Sequence, residues 1–296
     1  MLMKNKLEKQ TEVFDSISSL YFGNLSIFKF YYEKLNLIDI NKALMNSVEK
    51  KNKRIIEYIF DNCNDKLNLN QNFIENLFKA SIKLKTEYIL EFLIEKFKEI
   101  KKKTLSTFNN YSIQLLSEAC NSKKFKHTKI ITNLIMELKN DDSKTIDFSL
   151  PFYNAMLSES IEICHFFINE KVYIDFQLIS LQVHKLVNCN KDILEIFIKN
   201  ITPDTKSILI TCYLSEAIKK ENKYLIEYLL KENAFCDDAL YQAVKTDDIE
   251  IVNMILDKNS EPYFINQIFN NETALSQAVS HRNLSIVKRL LSIQGI

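Results

Sequence analysis

One four-residue apolar pattern recurs along the whole chain and limits its fold more than any other feature. Near the C-terminus it reads Ile286, Val287, Leu290, Leu291. Residues at i, i+1, i+4 and i+5 share one face of a helix, so each quartet is a stripe to be buried. The spacing recurs at Ile251, Val252, Ile255, Leu256; at Leu225, Ile226, Leu229, Leu230; at Ile193, Leu194, Phe197, Ile198; and at Ile163, Cys164, Phe167, Ile168. Upstream it occurs at Ile130, Ile131, Leu134, Ile135; at Ile89, Leu90, Leu93, Ile94; at Ile55, Ile56, Ile59, Phe60; and at Ile27, Phe28, Tyr31, Tyr32. Counted from the N-terminus, first members are 28, 34, 41, 33, 30, 32, 26 and 35 residues apart. A period of about 32 predicts a solenoid, in which units too small to bury their own stripes stack on one another.

An independent signal lies three residues before each quartet. In chain order these residues are Asn24, Asn52, Thr86, His127, Ser160, Asn190, Asn222, Asp248 and Asn283. Asn supplies 30 of 296 residues, so chance would place about one in nine positions, and five are found. Such side chains accept hydrogen bonds from the free amides of a first helical turn, which predicts a helix start there. Eight residues before the quartet stand Ala278, Ala243, Ala217, Ala155, Ser81, Ser47 and Ser19, small enough for two helices to approach closely. "TALSQA", "DALYQA" and two copies of "LSEA" precede those positions, and Pro151 fits a first turn that needs no amide. The fourth copy carries Ala119, with a turn expected to be about three residues longer, and the sixth places Lys185 at the small-residue position.

Taken together these units resemble ankyrin repeats, whose period is about 33 residues. Thr273-Ala274-Leu275-Ser276-Gln277-Ala278 matches the family's Thr-Pro-Leu-His-x-Ala start. Asn283 to Leu291 matches its second helix, as does Gly23-Asn24-Leu25-Ser26-Ile27. The expected fold is an all-α, ankyrin-like solenoid of about nine helix-turn-helix repeats in a single domain, 1–296. The approximate repeats are 10–36, 37–70, 71–108, 109–147, 148–176, 177–203, 204–234, 235–266 and 267–296. A tetratricopeptide array fits less well, because the chain has no Trp and three Pro. The main departure is glycine. The family favours Gly just before the cap, and beyond Gly23 those places hold Lys51, Lys85, Lys126, Glu159, Cys189, Glu221, Asp247 and Arg282. A left-handed backbone at any of them costs on the order of 1 kcal/mol.

The resemblance implies a protein-binding scaffold that uses first helices and loop tips and has no catalytic activity, cofactor or metal. The expected contact positions are Gln277, His281, Gln242, Thr246, Glu216, Lys220, Asn154, Ser158 and Glu118 on exposed first-helix faces, with Phe235 at a tip. Net charge is +1, which gives no global pull toward nucleic acid or membrane. Charge is nevertheless uneven. Lys96, Lys98, Lys101, Lys102, Lys103, Lys123, Lys124, Lys126 and Lys129 form a basic ridge, while residues 232–261 hold eight acids against two Lys. The ridge offers an alternative: electrostatic binding of RNA or anionic lipid. Three Arg against 36 Lys, without interleaved aromatics, argue against specific base reading.

No nucleophile elbow, zinc motif or glycine-rich phosphate loop occurs, and two Gly make a phosphate cradle implausible. A third alternative is a regulatory arm of an enzyme whose chemistry lies on another chain or a missing segment. The six cysteines show no CxxC and no His at zinc-ligand spacing, and read as free buried thiols of a reducing compartment. "MLMKNKLEKQ" has no apolar signal core, and no apolar run approaches the ~18 residues of a membrane span, so cytoplasm is expected, with the nucleus also open. "LLSIQGI" follows the last stripe without a polar cap, for which an end-to-end homodimer is one solution.

Overall fold

The computed structural model describes residues 24–35, 39–100, 102–137, 145–201 and 203–293. Ser19, Gly23, Lys101 and the final Gln294-Gly295-Ile296 lie outside them, as do the side chains of Lys102, Lys103 and His184. The chain divides into two compact units, Met1–Lys144 and Thr145–Ile296.

In the first unit the helices are α1 (Leu25–Phe30), α2 (Ile40–Glu49), α3 (Lys53–Asn62), α4 (Gln71–Lys83), α5 (Tyr88–Ile100), α6 (Lys102–Asn121) and α7 (Phe125–Glu137). Three pairs, α2–α3, α4–α5 and α6–α7, pack as hairpins, and their first helices α2, α4 and α6 stack in sequence. The second unit runs α8 (Ser149–Leu157), α9 (Ile161–Asn169), α10 (Phe176–Ser180), α11 (Val183–Leu186), α12 (Lys191–Asn200), α13 (Pro203–Lys219) and α14 (Lys223–Lys231). It continues with α15 (Ala239–Lys245), α16 (Ile249–Lys258), α17 (Pro262–Ile265), β1 (Ile268–Phe269), β2 (Glu272–Thr273), α18 (Ala274–Ser280) and α19 (Leu284–Leu291). First helices α13, α15 and α18 form one row, and second helices α14, α16 and α19 form another. The two-stranded hairpin is a small β addition to the all-α expectation.

The turn inside most of the pairs has one recurring chemistry. Lys51, Glu159, Glu221, Asp247 and Arg282 adopt φ of 58, 56, 54, 61 and 58°. Where the family uses Gly, this chain therefore places lysine, acids and arginine in the left-handed region. The next residue closes the first helix with its amide: Asn52 donates to Ser47 O (2.8 Å), Ser160 to Ala155 O (2.9 Å), Asn222 to Ala217 O (3.0 Å) and Asn283 to Ala278 O (3.2 Å). This is the Schellman closure, with the small residue supplying the accepting carbonyl. Ser47, Ala155, Ala217, Ala243 and Ala278 are fully buried beneath the paired helix.

The same cap residue opens the second helix. Asn52 Oδ1 accepts from the Ile55 amide (3.3 Å), Asn222 Oδ1 from Leu225 (3.1 Å) and Asn283 Oδ1 from Ile286 (3.1 Å). Asn24, Asn190 and Asp248 cap in the same way. Asn has a further use, because its amide nitrogen donates back to the preceding repeat. Asn222 Nδ2 reaches Val187 O (3.0 Å), and Asn283 Nδ2 reaches Asp247 O (3.2 Å) and Oδ1 (2.8 Å). Asp and Ser supply only the acceptor or a shorter reach, which accounts physically for the recurrence of Asn.

Three expected caps are corrected. His127 is not a cap: it lies inside α7, which begins at Phe125. Lys123 carries the left-handed φ (54°) in place of Lys126, and the Lys124 amide closes on Ala119 O (3.0 Å). The turn is therefore of ordinary length. Counting from Lys124, the buried quartet is His127, Thr128, Ile131 and Thr132, one turn earlier than the apolar residues suggest. Thr86 does not cap α5, since its hydroxyl is buried without a partner, and Lys85 keeps an ordinary φ. Ser160 precedes α9 without bonding its amides, and its hydroxyl lies 3.2 Å from that of Ser158. In the sixth copy the first helix breaks into α10 and α11, and Lys185 is exposed while Leu186 and Val187 fill the interior.

Candidate interaction surface

The quartets set the surface by deciding what remains outside. Those at Ile55, Ile89, Ile193, Leu225 and Ile251 are buried at all four positions. Each burial directs the opposite face of a second helix, and the outer face of the first, toward solvent.

On the first helices several of the expected contact positions are engaged within their own helix or its cap. Gln277 is corrected from exposed to buried: only 7% of it is accessible, and its amide donates to His281 Nε2 at 2.6 Å. The 273–278 helix start turns that side chain inward beside Thr273, whose hydroxyl and the Ser276 hydroxyl form a capping box. Gln242 is half-buried and donates to Asp238 Oδ2 (3.0 Å). Thr246 donates to Ala243 O (2.7 Å), Ser158 to Ala155 O (3.1 Å), and Glu216 pairs with Lys219 (2.9 Å). Asn154 and Glu118 are half-buried, while His281 and Lys220 are exposed.

Large apolar side chains stand out instead. On α8, Leu150 and Leu157 are exposed, and Tyr173, Leu178 and Leu181 are exposed on the tip beyond α9 and on α10. α8 packs against α10, so these groups occupy neighbouring elements. In the last repeats Phe235 is 46% exposed, Tyr263 80% and Ile268 69%. The Phe235 and Phe264 rings meet at 5.6 Å, joining the tip before α15 to the one at α17. Asn270 and Asn271 both have left-handed φ (51 and 65°), as a two-residue hairpin turn of the primed type requires. That turn holds Ile268 outward, while Phe269 lies 5.8 Å from the Tyr241 ring. Sequence patterning found Phe235 but missed Tyr263 and Ile268, and "NN" between short apolar runs was the signal available for the hairpin.

The basic ridge is partly spent inside the first unit. Lys96 on α5 binds Asp61 of α3 (3.1 Å) and Glu99 (3.2 Å). Lys98 reaches Glu137 of α7, and Lys126 reaches Glu87, whose carboxyl it holds below the usual range. Lys123 and Lys129 are exposed, and Lys124 is half-buried.

Burial pushes the Cys164 thiol up to about 12 and Cys189 to about 11, so neither is a thiolate at neutral pH. Cys63, Cys120 and Cys236 are buried too, whereas Cys212 is exposed, unlike the expectation for all six. Among the described residues no group of three or more His, Cys, Asp or Glu could hold a metal, and no helix is long and apolar enough to cross a membrane.

A family model for ankyrin repeats matches residues 214–296, in three copies. No curated protein and no solved structure matches the chain.

Proposed function

We propose that this chain, whose residues 214–296 carry ankyrin repeats, is a scaffold that holds another protein against its first helices and tips. Ankyrin repeats in general mediate protein–protein interaction and are typically non-catalytic. The observation that carries the reading here is the exposed apolar set Leu150, Tyr173, Leu178 and Leu181, with Phe235, Tyr263 and Ile268. None of these is needed to fill a quartet, and exposed apolar groups gathered on one kind of position mark an interaction surface. Photo-crosslinking residues placed at Tyr173, Leu181 and Tyr263, and at Glu57, Lys199 and Lys231 on second helices, test it in the native cell. Adducts from the first set alone support the reading; adducts from the second set alone refute it.

We infer a second copy of the chain as a further partner. Val279 (57%) and Leu291 (59%) are exposed, while their register equivalents Val244 and Leu256 are buried against the next repeat. Sedimentation of the chain beside a Val279→Lys, Leu291→Lys variant decides this: a dimer lost in the variant supports it, and a monomer at high concentration refutes it.

A further inference from the structure

We propose that the tips of the last three repeats bind a basic segment of the partner protein, one that carries Lys or Arg beside an apolar residue. The proposal rests on the protein-binding reading above and names the chemistry of the ligand.

The first ground is apolar. Phe264 already seals the tip by meeting Phe235, so the adjacent Tyr263 contributes nothing to that packing and projects 80% into solvent. Ile268, five residues further on, projects from a hairpin whose turn is fixed by two left-handed Asn residues. Phe235 keeps nearly half its surface outside. Three large groups held out by rigid local structure form a docking surface with little ordering cost.

Charge selects the occupant. Segments 232–244 and 259–280 contain Glu232, Asp237, Asp238, Glu261 and Glu272 and no Lys or Arg. With 36 Lys in 296 residues, chance would put about four in these 35. Of the neighbouring cations, Lys223 pairs with Asp248 and Glu250 and Arg289 with Asp257, while Lys206 already pairs with Glu232 (2.7 Å), which leaves Asp237 and Glu261 as the acids that face a ligand. Three lysines border these segments: Lys231 pairs with Glu227 (2.7 Å), Lys245 lies over the Tyr241 ring at 5.6 Å, and Lys258 donates to Asn233 Oδ1 (3.0 Å). Asp237 and Glu261 are both exposed, one on each of the two tips that Phe235 and Phe264 bring together. A cationic side chain there gains a carboxylate and can lay its stem or guanidinium on an aromatic face. An acidic segment meets like charge at both tips.

The test uses the full chain and three fluorescent twelve-residue peptides: one of Arg, Lys and Leu, one with Glu in place of the bases, and one of Arg and Lys with Ser replacing Leu. Anisotropy titrations are run at low and moderate salt. The first peptide is expected to bind best. Tyr263→Ser should weaken it about 30-fold, as for the loss of a central aromatic anchor. Asp237→Lys with Glu261→Lys should weaken it at least about tenfold and flatten its salt dependence. Circular dichroism confirms that these surface variants fold. Equal binding of the acidic peptide, or of the first peptide to both variants, overturns the proposal. So does equal affinity for the peptide without Leu, which would mean unspecific attraction. If crosslinks form at Tyr173 and Leu181 while the tip variants change nothing, the basic-segment inference fails and the scaffold reading stands.

Discussion

Replacing the left-handed residues by glycine should stabilise the protein, and the gain can be worked from the turn geometry. Glu221 (φ 54°) and Arg282 (φ 58°) are the cleanest sites, since both are exposed. A residue with a Cβ in the left-handed region loses roughly 1–2 kcal/mol relative to glycine. Glycine gives back about 0.4–1 kcal/mol through the greater freedom of the unfolded chain. The net expectation is about 0.5–1 kcal/mol for each substitution, so Glu221→Gly with Arg282→Gly should gain about 1–2 kcal/mol. For a unit of this size that is a rise in Tm of roughly 2–8 °C. Lys85→Gly is the control, because Lys85 holds the corresponding place with an ordinary φ, and there glycine should destabilise by about 0.5–1 kcal/mol. Urea unfolding followed by circular dichroism measures all three. If Glu221→Gly is no more stable than Lys85→Gly, the left-handed closure is wrong and with it the register of every pair.

Asn222→Asp keeps the acceptor on the Leu225 amide but loses the donor to Val187 O, so it should cost about 1 kcal/mol, against about 2 kcal/mol for Asn222→Ala; equal urea midpoints for Asp and wild type would show that the cross-repeat bond adds nothing. Leu229→Ala and Leu93→Ala remove fully buried anchors and should each cost ~2–5 kcal/mol in the same assay; a variant that melts like wild type contradicts the assigned stripe. Burial, with Lys124 nearby and Glu87 opposing, holds His127 below its ordinary 6.5. The unfolded chain therefore takes up the proton first, and stability should fall as pH drops below about 6.5; His127→Gln should flatten that fall in urea midpoints read from about pH 7 to pH 5.

What was legible in the sequence was local chemistry. Asn52, Asn222 and Asn283 could be read as caps because a short side chain beside free amides has one good use. The quartets at Ile55, Ile193 and Leu225 were legible because the buried positions are apolar and nothing competes with their spacing. In the fourth copy the buried positions hold His127, Thr128 and Thr132, so a search for apolar residues settles on the next turn of the same helix. The left-handed turns were located only through the family's glycine positions, and the residues do not say which of them adopt it: Glu221 and Arg282 do and Lys85 does not, because the closure is imposed by the packing of two helices. The same holds for the surface. Gln277 faces inward because of how its helix meets its neighbour, and Tyr263 faces outward because Phe264 takes the interior.

These cases share a cause that also explains where the family pattern is recognisable. A repeat needs three things: a small residue whose carbonyl closes the first helix, a side chain that opens the second, and a stripe to bury. Residues 214–296 supply all three, through Ala217, Ala243 and Ala278, through Asn222, Asp248 and Asn283, and through three apolar quartets. Further upstream the requirements are met by substitutes. Ser47 and Ser81 stand for Ala, with hydroxyls that donate to Ala43 O and Phe78 O at 2.7 Å and so cost little when buried. Thr128 fills a stripe position at 3.9 Å from Cys120 Sγ, and Leu186 and Val187 fill the interior beside a broken helix. Each substitute satisfies the packing while erasing a letter of the motif. The geometry of a helix pair therefore persists further along a divergent chain than the sequence that specifies it. A variant that restores the letters in the fourth copy, His127→Ile with Thr132→Leu, should be tolerated by the fold and remove two buried polar atoms that have no partner.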